Sequence, residues 1–124
     1  MQGESILSFY YSMDVDILIR VKLRKNTNIP KLARKISLKI GTSVFIVYDG
    51  YMYIKPIMFV NKEGNPLRVI PIIQMMYKGY KFEPVVVVKN KNILGVLEPF
   101  REIYDIVDEE EIYKNGEVFV MYAN

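Results

Sequence analysis

The sequence predicts an α/β (α+β) fold in which two pseudo-repeated helix–β-hairpin units pack on a shared core. Three observations lead to this expectation: alternating β-branched residues near the start, a run with helical spacing after it, and a similar order of elements 38 residues later. The 124 residues are 51% hydrophobic and 25% charged, which is typical of globular proteins. We therefore expect one compact domain over residues 1–124, with internal units at about 15–60 and 61–124.

The first unit begins with a strand and a helix. Apolar and polar residues alternate from Asp14 to Arg24, which predicts a strand that is buried on one face. Asn28 is suited to cap the helix that follows, Pro30 fits its first turn, and Gly41 ends it. Between these signals the apolar residues recur at helical spacing, namely Ile29, Leu32, Ala33, Ile36 and Ile40.

A hairpin completes the first unit. Asp49-Gly50 is a pair that two-residue hairpin turns favour, because both positions need positive φ. The apolar runs on either side, Thr42–Tyr48 and Tyr51–Val60, are therefore expected to be two antiparallel strands.

The second unit repeats this order after a turn-rich loop at Asn61–Asn65. Its helix, Leu67–Lys78, is so apolar that we expect it to be buried on most sides. The β-branched run Val85–Lys89 predicts a central strand. After a turn at Asn90–Asn92, three more elements are expected: a strand at Ile93–Leu97, an amphipathic helix at Phe100–Tyr113 and a final strand at Val118–Tyr122.

The motifs of the second unit carry a family resemblance. Residues 57–107 contain, in order, Pro66-Leu67-Arg68, then Met75 and Gly79, then Pro84-Val85-Val86 and Gly95-Val96-Leu97. In this order of motifs the chain resembles a CBS-domain pair, a small regulatory module that senses adenine nucleotides. The resemblance implies a non-catalytic, ligand-sensing function, an adenine nucleotide bound between the two units, and a homodimer whose state a regulated protein partner reads.

The resemblance also implies the ligand-binding residues. A CBS repeat has Thr or Ser after the Gly-apolar-apolar strand and Asp three residues later, and this chain has Glu98 and Arg101 at those positions. Lys55 matches Glu98 in the first unit, so these two residues are expected to face one another as an ion pair. Arg68 begins the second helix, where a guanidinium fits an anion site. The expected ligand-binding residues are therefore Lys55, Arg68, Glu98 and Arg101.

Charge is distributed unevenly and suggests two alternative functions. Eight basic residues and no acid lie from Arg20 to Lys39, whereas Glu98–Glu117 has eight acids and two bases. The basic segment fits nucleic-acid binding, or self-assembly with a neighbour's acidic segment. Two solvated faces that only keep the chain soluble are a third interpretation. For both binding functions the expected residues are Arg20, Lys22, Arg24, Lys31, Arg34 and Lys35.

The residue types exclude several classes of chemistry. The chain has no cysteine and no histidine, so it can form no disulfide and no Ser-His or Cys-His nucleophile pair. We expect no catalytic residue, no metal site and no required cofactor apart from the adenine nucleotide as ligand. The first twenty residues lack the pattern of a signal peptide and no uncharged run is long enough to span a bilayer, so a cytoplasmic protein without membrane contact is expected.

Overall fold

The computed structural model of this chain describes residues 14–57 and 66–123. These residues form a mixed α+β fold of four α-helices and one six-stranded sheet, which confirms the predicted fold class. The strands are β1 (Val15–Lys22), β2 (Ser43–Tyr48), β3 (Tyr51–Pro56), β4 (Phe82–Val88), β5 (Asp105–Asp108) and β6 (Glu117–Met121). The helices are α1 (Ile29–Ile40), α2 (Ile70–Met76), α3 (Leu94–Leu97) and α4 (Glu109–Asn115), and 3₁₀ turns cover Pro66–Arg68, Lys91–Ile93 and Glu98–Glu102.

The sheet has the strand order β5-β4-β1-β3-β2-β6. Strand β1 lies in the interior and pairs antiparallel with β4 on one side and β3 on the other. β6 is antiparallel to β2 at one edge, and β5 is parallel to β4 at the other edge. The predicted hairpin is confirmed, because β2 and β3 are joined at Asp49 and Gly50, whose φ angles of 51° and 79° suit a type I′ turn.

Helix α1 is stabilised both by capping residues at its ends and by burial of its apolar side. Asn28 caps it, with its side-chain oxygen accepting from the Lys31 amide at 3.2 Å, and Gly41 ends it with a positive φ of 104°. Its apolar stripe packs on one face of the sheet, where burying an aliphatic side chain contributes about 1.5–3 kcal/mol. That core joins the helix residues Leu32, Ala33, Ile36 and Ile40 to Ile19, Val21, Phe45, Met52 and Ile54 of the sheet.

The opposite face of the sheet is covered by the short helix α4. Its residue Ile112 is fully buried against a second cluster that contains Leu18, Ile46 and Tyr53. Gly116 lets the chain turn closely from α4 into β6, because a β-carbon there would lie 2.9 Å from a methyl carbon of Ile46. The sheet therefore separates α1 and α2 on one face from α4 on the other.

Arg20 is a buried charge in the interior of the sheet. It projects toward the α4 side, donates to Glu83 at 2.8 Å, and also forms an ion pair with Asp105. Its guanidinium carbon lies 4.7 Å from the ring centre of Tyr51. Burial disfavours the charged form, but the hydrogen bonds to both carboxylates outweigh it and raise the pKa of Arg20 above its ordinary value.

The prediction that β1 is buried on one face only is wrong. Leu18 is 2% exposed and Arg20 is 8% exposed, although both lie on the face expected to be solvated. α4 and the neighbouring strands cover this face, so β1 is buried on both sides as an interior strand of a covered sheet is. Arg20 is tolerated there because Glu83 and Asp105 compensate its charge.

Two elements of the second unit were predicted wrongly. The segment Ile93–Leu97 is helical instead of extended, because Asn90 caps the turn by accepting from the Asn92 amide at 3.0 Å. The expected helix Phe100–Tyr113 is interrupted by β5, where Ile106 pairs with Val86 of β4. The apolar residues of this stretch fit a helical period, but their β-branched side chains gain more from pairing with β4.

Helix α2 is shorter and more exposed than expected. It follows a 3₁₀ turn, ends at Met76, and leaves Ile72 44% exposed and Met75 77% exposed. Among its residues, Ile73 is fully buried in the core that α1 shares. Only one side of α2 meets the core, so burial on most sides is not observed.

The pseudo-repeat is not confirmed. The first unit contains the antiparallel β2–β3 hairpin, whereas the corresponding strand β4 of the second unit pairs in parallel with β5 after a helical crossover. A parallel pair requires such a crossover connection and cannot be a tight hairpin. The predicted end of the third strand, at 58–60, and the loop Asn61–Asn65 lie outside the described residues.

The buried position of Arg20 predicts a large cost for its removal. Arg20→Gln leaves Glu83 and Asp105 without their cation, so we expect the free energy of unfolding to fall by about 2 kcal/mol in urea denaturation. Arg101→Gln is the matched control, because Arg101 pairs with Glu98 on the surface at 2.9 Å and should cost less than about 0.5 kcal/mol. Equal costs for the two variants would contradict a buried structural role for Arg20.

Candidate functional site

Helix α1 presents a row of cations to solvent. Its exposed side carries four basic residues and no acid, and this surface, Lys31, Arg34, Lys35 and Lys39, is called the basic face below. Within residues 14–57 and 66–123, none of the four lies within ion-pairing distance of a carboxylate. Residues three and four positions apart are neighbours on a helix surface, so these like charges repel and favour a bound anion.

Five cations elsewhere in the described chain do have carboxylate partners. Asp16 accepts from Lys55 at 2.9 Å and lies 3.2 Å from the ammonium of Lys89. Burial disfavours the charged form of Lys55, but the hydrogen bond to Asp16 outweighs it and raises the pKa of this lysine. The other three, Arg20, Lys91 and Arg101, also pair with acids. The acids in these ion pairs lie away from α1, and none of them reaches the basic face.

Arg24 and Tyr80 form a structured corner beside the basic face. The guanidinium carbon of Arg24 lies 4.9 Å from the ring centre of Tyr80, and the same side chain donates to the carbonyl of Gly79. The hydroxyls of Thr27 and Tyr80 are 2.8 Å apart and hydrogen-bonded. Gln74 donates to the Tyr80 carbonyl at 2.6 Å, so α2 holds this loop in place.

A small cleft lies between this corner and the basic face. It has a volume of about 140 Å³, and we call it the α1 cleft. Its walls include Thr27, Lys31, Leu32, Lys35, Tyr77 and Tyr80. Two of the four cations of the basic face therefore line a concave site together with hydroxyl-bearing residues.

Tyr77 lines the α1 cleft and has a buried hydroxyl. This hydroxyl has no hydrogen-bond partner among the described residues, and burial raises the pKa of the phenol above its ordinary value. An unpaired buried hydroxyl costs about 1–3 kcal/mol.

The residues expected to bind a nucleotide are not brought together. Lys55 projects to the α4 side of the sheet and pairs with Asp16. Glu98 pairs with Arg101 in the 3₁₀ turn that packs Phe100 on the α1 side of the sheet. The expected ion pair between Lys55 and Glu98 is therefore absent from the described structure. Arg68 is exposed in the turn before α2.

The structure divides the residues expected to bind nucleic acid or a charged partner. Arg20 belongs to the interior, where it has a structural role. Lys22 is exposed at the end of β1 and projects to the α4 side with Arg20. The remaining four, Arg24, Lys31, Arg34 and Lys35, lie on the α1 side, and the exposed Lys39 extends the same surface.

Thr27 was missed by the sequence analysis. Its partner Tyr80 is 53 residues away along the chain, and neither a turn signal nor a periodic pattern links the two. Only the packing of the loop after α2 against the turn before α1 brings these hydroxyls together.

Residues 14–57 and 66–123 contain neither a cluster of metal ligands nor a membrane-spanning helix. No group of three or more acidic side chains gathers there in a way that could hold a metal ion. No described helix is both long enough and apolar enough to cross a membrane.

Comparison with known proteins assigns neither a family nor a function to this chain. No protein-family model, curated protein or solved structure gives a significant match to this chain. The resemblance to CBS-domain pairs therefore stays a prediction, and the functional argument depends on the surface chemistry described above.

Proposed function

We propose that this protein is a non-catalytic nucleic-acid-binding module that uses the basic face and the adjoining Arg24–Tyr80 corner. The observation that supports this proposal is the grouping of cations on one helix. Exposed lysines such as Lys22 and Lys114 also have no carboxylate partner in the described chain, but the exposed side of α1 carries four such cations within nine residues and no acid. A row of uncompensated cations on a rigid helix attracts a phosphate backbone and releases its counterions.

Three further lysines lie beside the basic face and extend its positive charge. Lys25 lies in the turn before α1, and Lys78 and Lys81 lie in the loop after α2 that is held against Arg24 and Thr27. All three lysines are exposed. A continuous cationic surface of this kind binds polyanions with little sequence preference, because phosphates carry no sequence information.

The nucleotide-sensing function expected from the CBS resemblance is a weaker proposal. Its four residues lie at three separate places, because Glu98 and Arg101 pair with one another on the surface, away from Lys55 and Arg68. An adenine nucleotide remains a ligand to test because its phosphates suit the same basic face.

The proposal predicts a steep salt dependence that the basic face controls. The full chain should bind a short single-stranded oligonucleotide, with an affinity that falls as salt rises. A triple variant, Lys31→Gln, Arg34→Gln and Lys35→Gln, should bind at least about ten-fold more weakly, and the slope of log affinity against log salt should fall by about 2. Fluorescence anisotropy titrations over a series of salt concentrations measure both quantities.

The control for this prediction uses a lysine on the other face. Lys114 is exposed on α4, so Lys114→Gln removes one charge from the protein without touching the basic face. It should leave the affinity within about two-fold and the slope nearly unchanged. An oligonucleotide that does not bind at low salt, or a triple variant that binds like the wild type, would contradict the proposed function.

We also propose that the module is a homodimer that pairs through β6. This edge strand has no partner on its outer side among the described strands, and its last four residues carry no charge. Val118 and Val120 are 43% and 40% exposed, whereas the opposite edge strand β5 has aspartates at both ends. Charged ends discourage edge-to-edge pairing, and an uncharged apolar edge favours it.

Pairing of β6 with a second copy predicts sensitivity to a charge at this edge. Val120→Lys should convert the dimer into a monomer, because an edge lysine blocks strand addition. Val96→Lys is the matched control, since Val96 is an exposed valine on α3, far from β6 in the topology. Light scattering after size-exclusion chromatography measures the mass. A monomeric wild type, or a dimeric Val120→Lys variant, would contradict the homodimer.

A further inference from the structure

We propose that the α1 cleft binds a phosphomonoester group, the dianionic phosphate found at the end of a nucleic-acid strand or on a mononucleotide. This inference rests on the proposed function, because the α1 cleft opens within the basic face. Lys31 and Lys35 line it, one helical turn apart, and no carboxylate of the described chain pairs with either. Two cations at one concave site suit a ligand that carries more than one negative charge in a small volume.

A count of hydroxyl hydrogens supports a donor at this site. The Arg24 amide donates to Thr27 Oγ1 at 3.0 Å, so this oxygen already accepts one hydrogen bond. Thr27 and Tyr80 share one hydrogen bond between their hydroxyls, and each hydroxyl has a single hydrogen. Whichever of them donates, one hydroxyl hydrogen is left for another acceptor. In the proposed complex this hydrogen donates to a phosphate oxygen, since both residues line the α1 cleft.

The geometry favours a phosphate over a stacked base. One face of the Tyr80 ring is covered by Arg24, and the ring of Tyr77 meets Tyr80 at 80° with centroids 6.3 Å apart. Arg24 therefore takes one face of the Tyr80 ring away from a base that would stack on it. The volume of about 140 Å³ is also small beside the roughly 300–1,000 Å³ of typical small-molecule pockets. A compact tetrahedral oxyanion fits these limits better than a planar ring.

The charge of the ligand distinguishes this site from the rest of the basic face. An internal phosphodiester carries one negative charge, whereas a phosphomonoester carries about −1.5 to −2 at pH 7. The basic face attracts both groups along its length. The α1 cleft adds a second cation and a hydroxyl donor at one point, so it should prefer the monoester.

The test compares oligonucleotides of one sequence that differ only at their ends. The full chain is titrated with a strand bearing a 5′-phosphate, a 3′-phosphate or no terminal phosphate, and separately with AMP and inorganic phosphate. We expect a strand with one of the terminal phosphates to bind at least about five-fold more tightly than the unphosphorylated strand. Comparing the 5′-phosphate with the 3′-phosphate shows which strand end is bound. Titration with AMP and with inorganic phosphate shows whether a mononucleotide or free phosphate is bound instead.

Two double variants assign the preference to the α1 cleft. Lys31→Gln with Lys35→Gln removes both lysines of the cleft, whereas Arg34→Gln with Lys39→Gln removes two charges from the same face outside it. Both should weaken binding of the unphosphorylated strand to a similar degree. The cleft variant should lose the preference for a terminal phosphate, and the control variant should retain it.

The outcomes separate this inference from the proposed function. Equal affinity of the wild type for strands with and without terminal phosphates would overturn the inference and leave nucleic-acid binding supported. A preference that the cleft variant retains would also overturn it. Binding of AMP or inorganic phosphate that depends on Lys31 and Lys35, without binding of any strand, would support the cleft and overturn the proposed function.

Discussion

The alternation of side chains along β1 separates the two charged surfaces of this protein. Ile19 points to the α1 side and joins the larger core, and its neighbour Arg20 points to the α4 side. Because β1 lies between β4 and β3, the buried charges it sends to the α4 side must be compensated there. Glu83 and Asp105 compensate Arg20, and Asp16 pairs with Lys55 and Lys89. The carboxylates used in this way cannot neutralise α1.

Four cations without a carboxylate partner in the described chain consequently gather on the α1 side of the sheet. α4 contributes Glu109, Glu110 and Glu111 on the opposite side, so the two charged surfaces do not meet within one molecule. If two copies pair antiparallel through β6 about an axis perpendicular to the sheet, both α1 helices lie on the same face. The dimer would then present two basic faces to a single strand, which raises affinity through effective concentration.

Much of the fold could be predicted where the signals are local. Asn28 and Gly41 mark the ends of α1, and Asp49-Gly50 marks the hairpin, because each acts through its own backbone conformation. β5 could not be predicted, since Ile106 becomes a strand residue only by pairing with Val86 across a crossover. The lysines of α1 were identified from the sequence. The contact between Thr27 and Tyr80 depends on tertiary packing. The α1 cleft could therefore not be identified from the sequence.

The most direct test of the account maps where a nucleic acid touches the protein. Backbone amide chemical shifts of ¹⁵N-labelled full-length chain are recorded with increasing amounts of a short single-stranded oligonucleotide at low salt. The account predicts that the largest changes fall on α1, on the turn before it and on residues 77–81, while α4 and β5 change little. Changes centred on α4, or shifts spread evenly over the chain, would contradict the claim that the uncompensated cations of α1 form the binding surface.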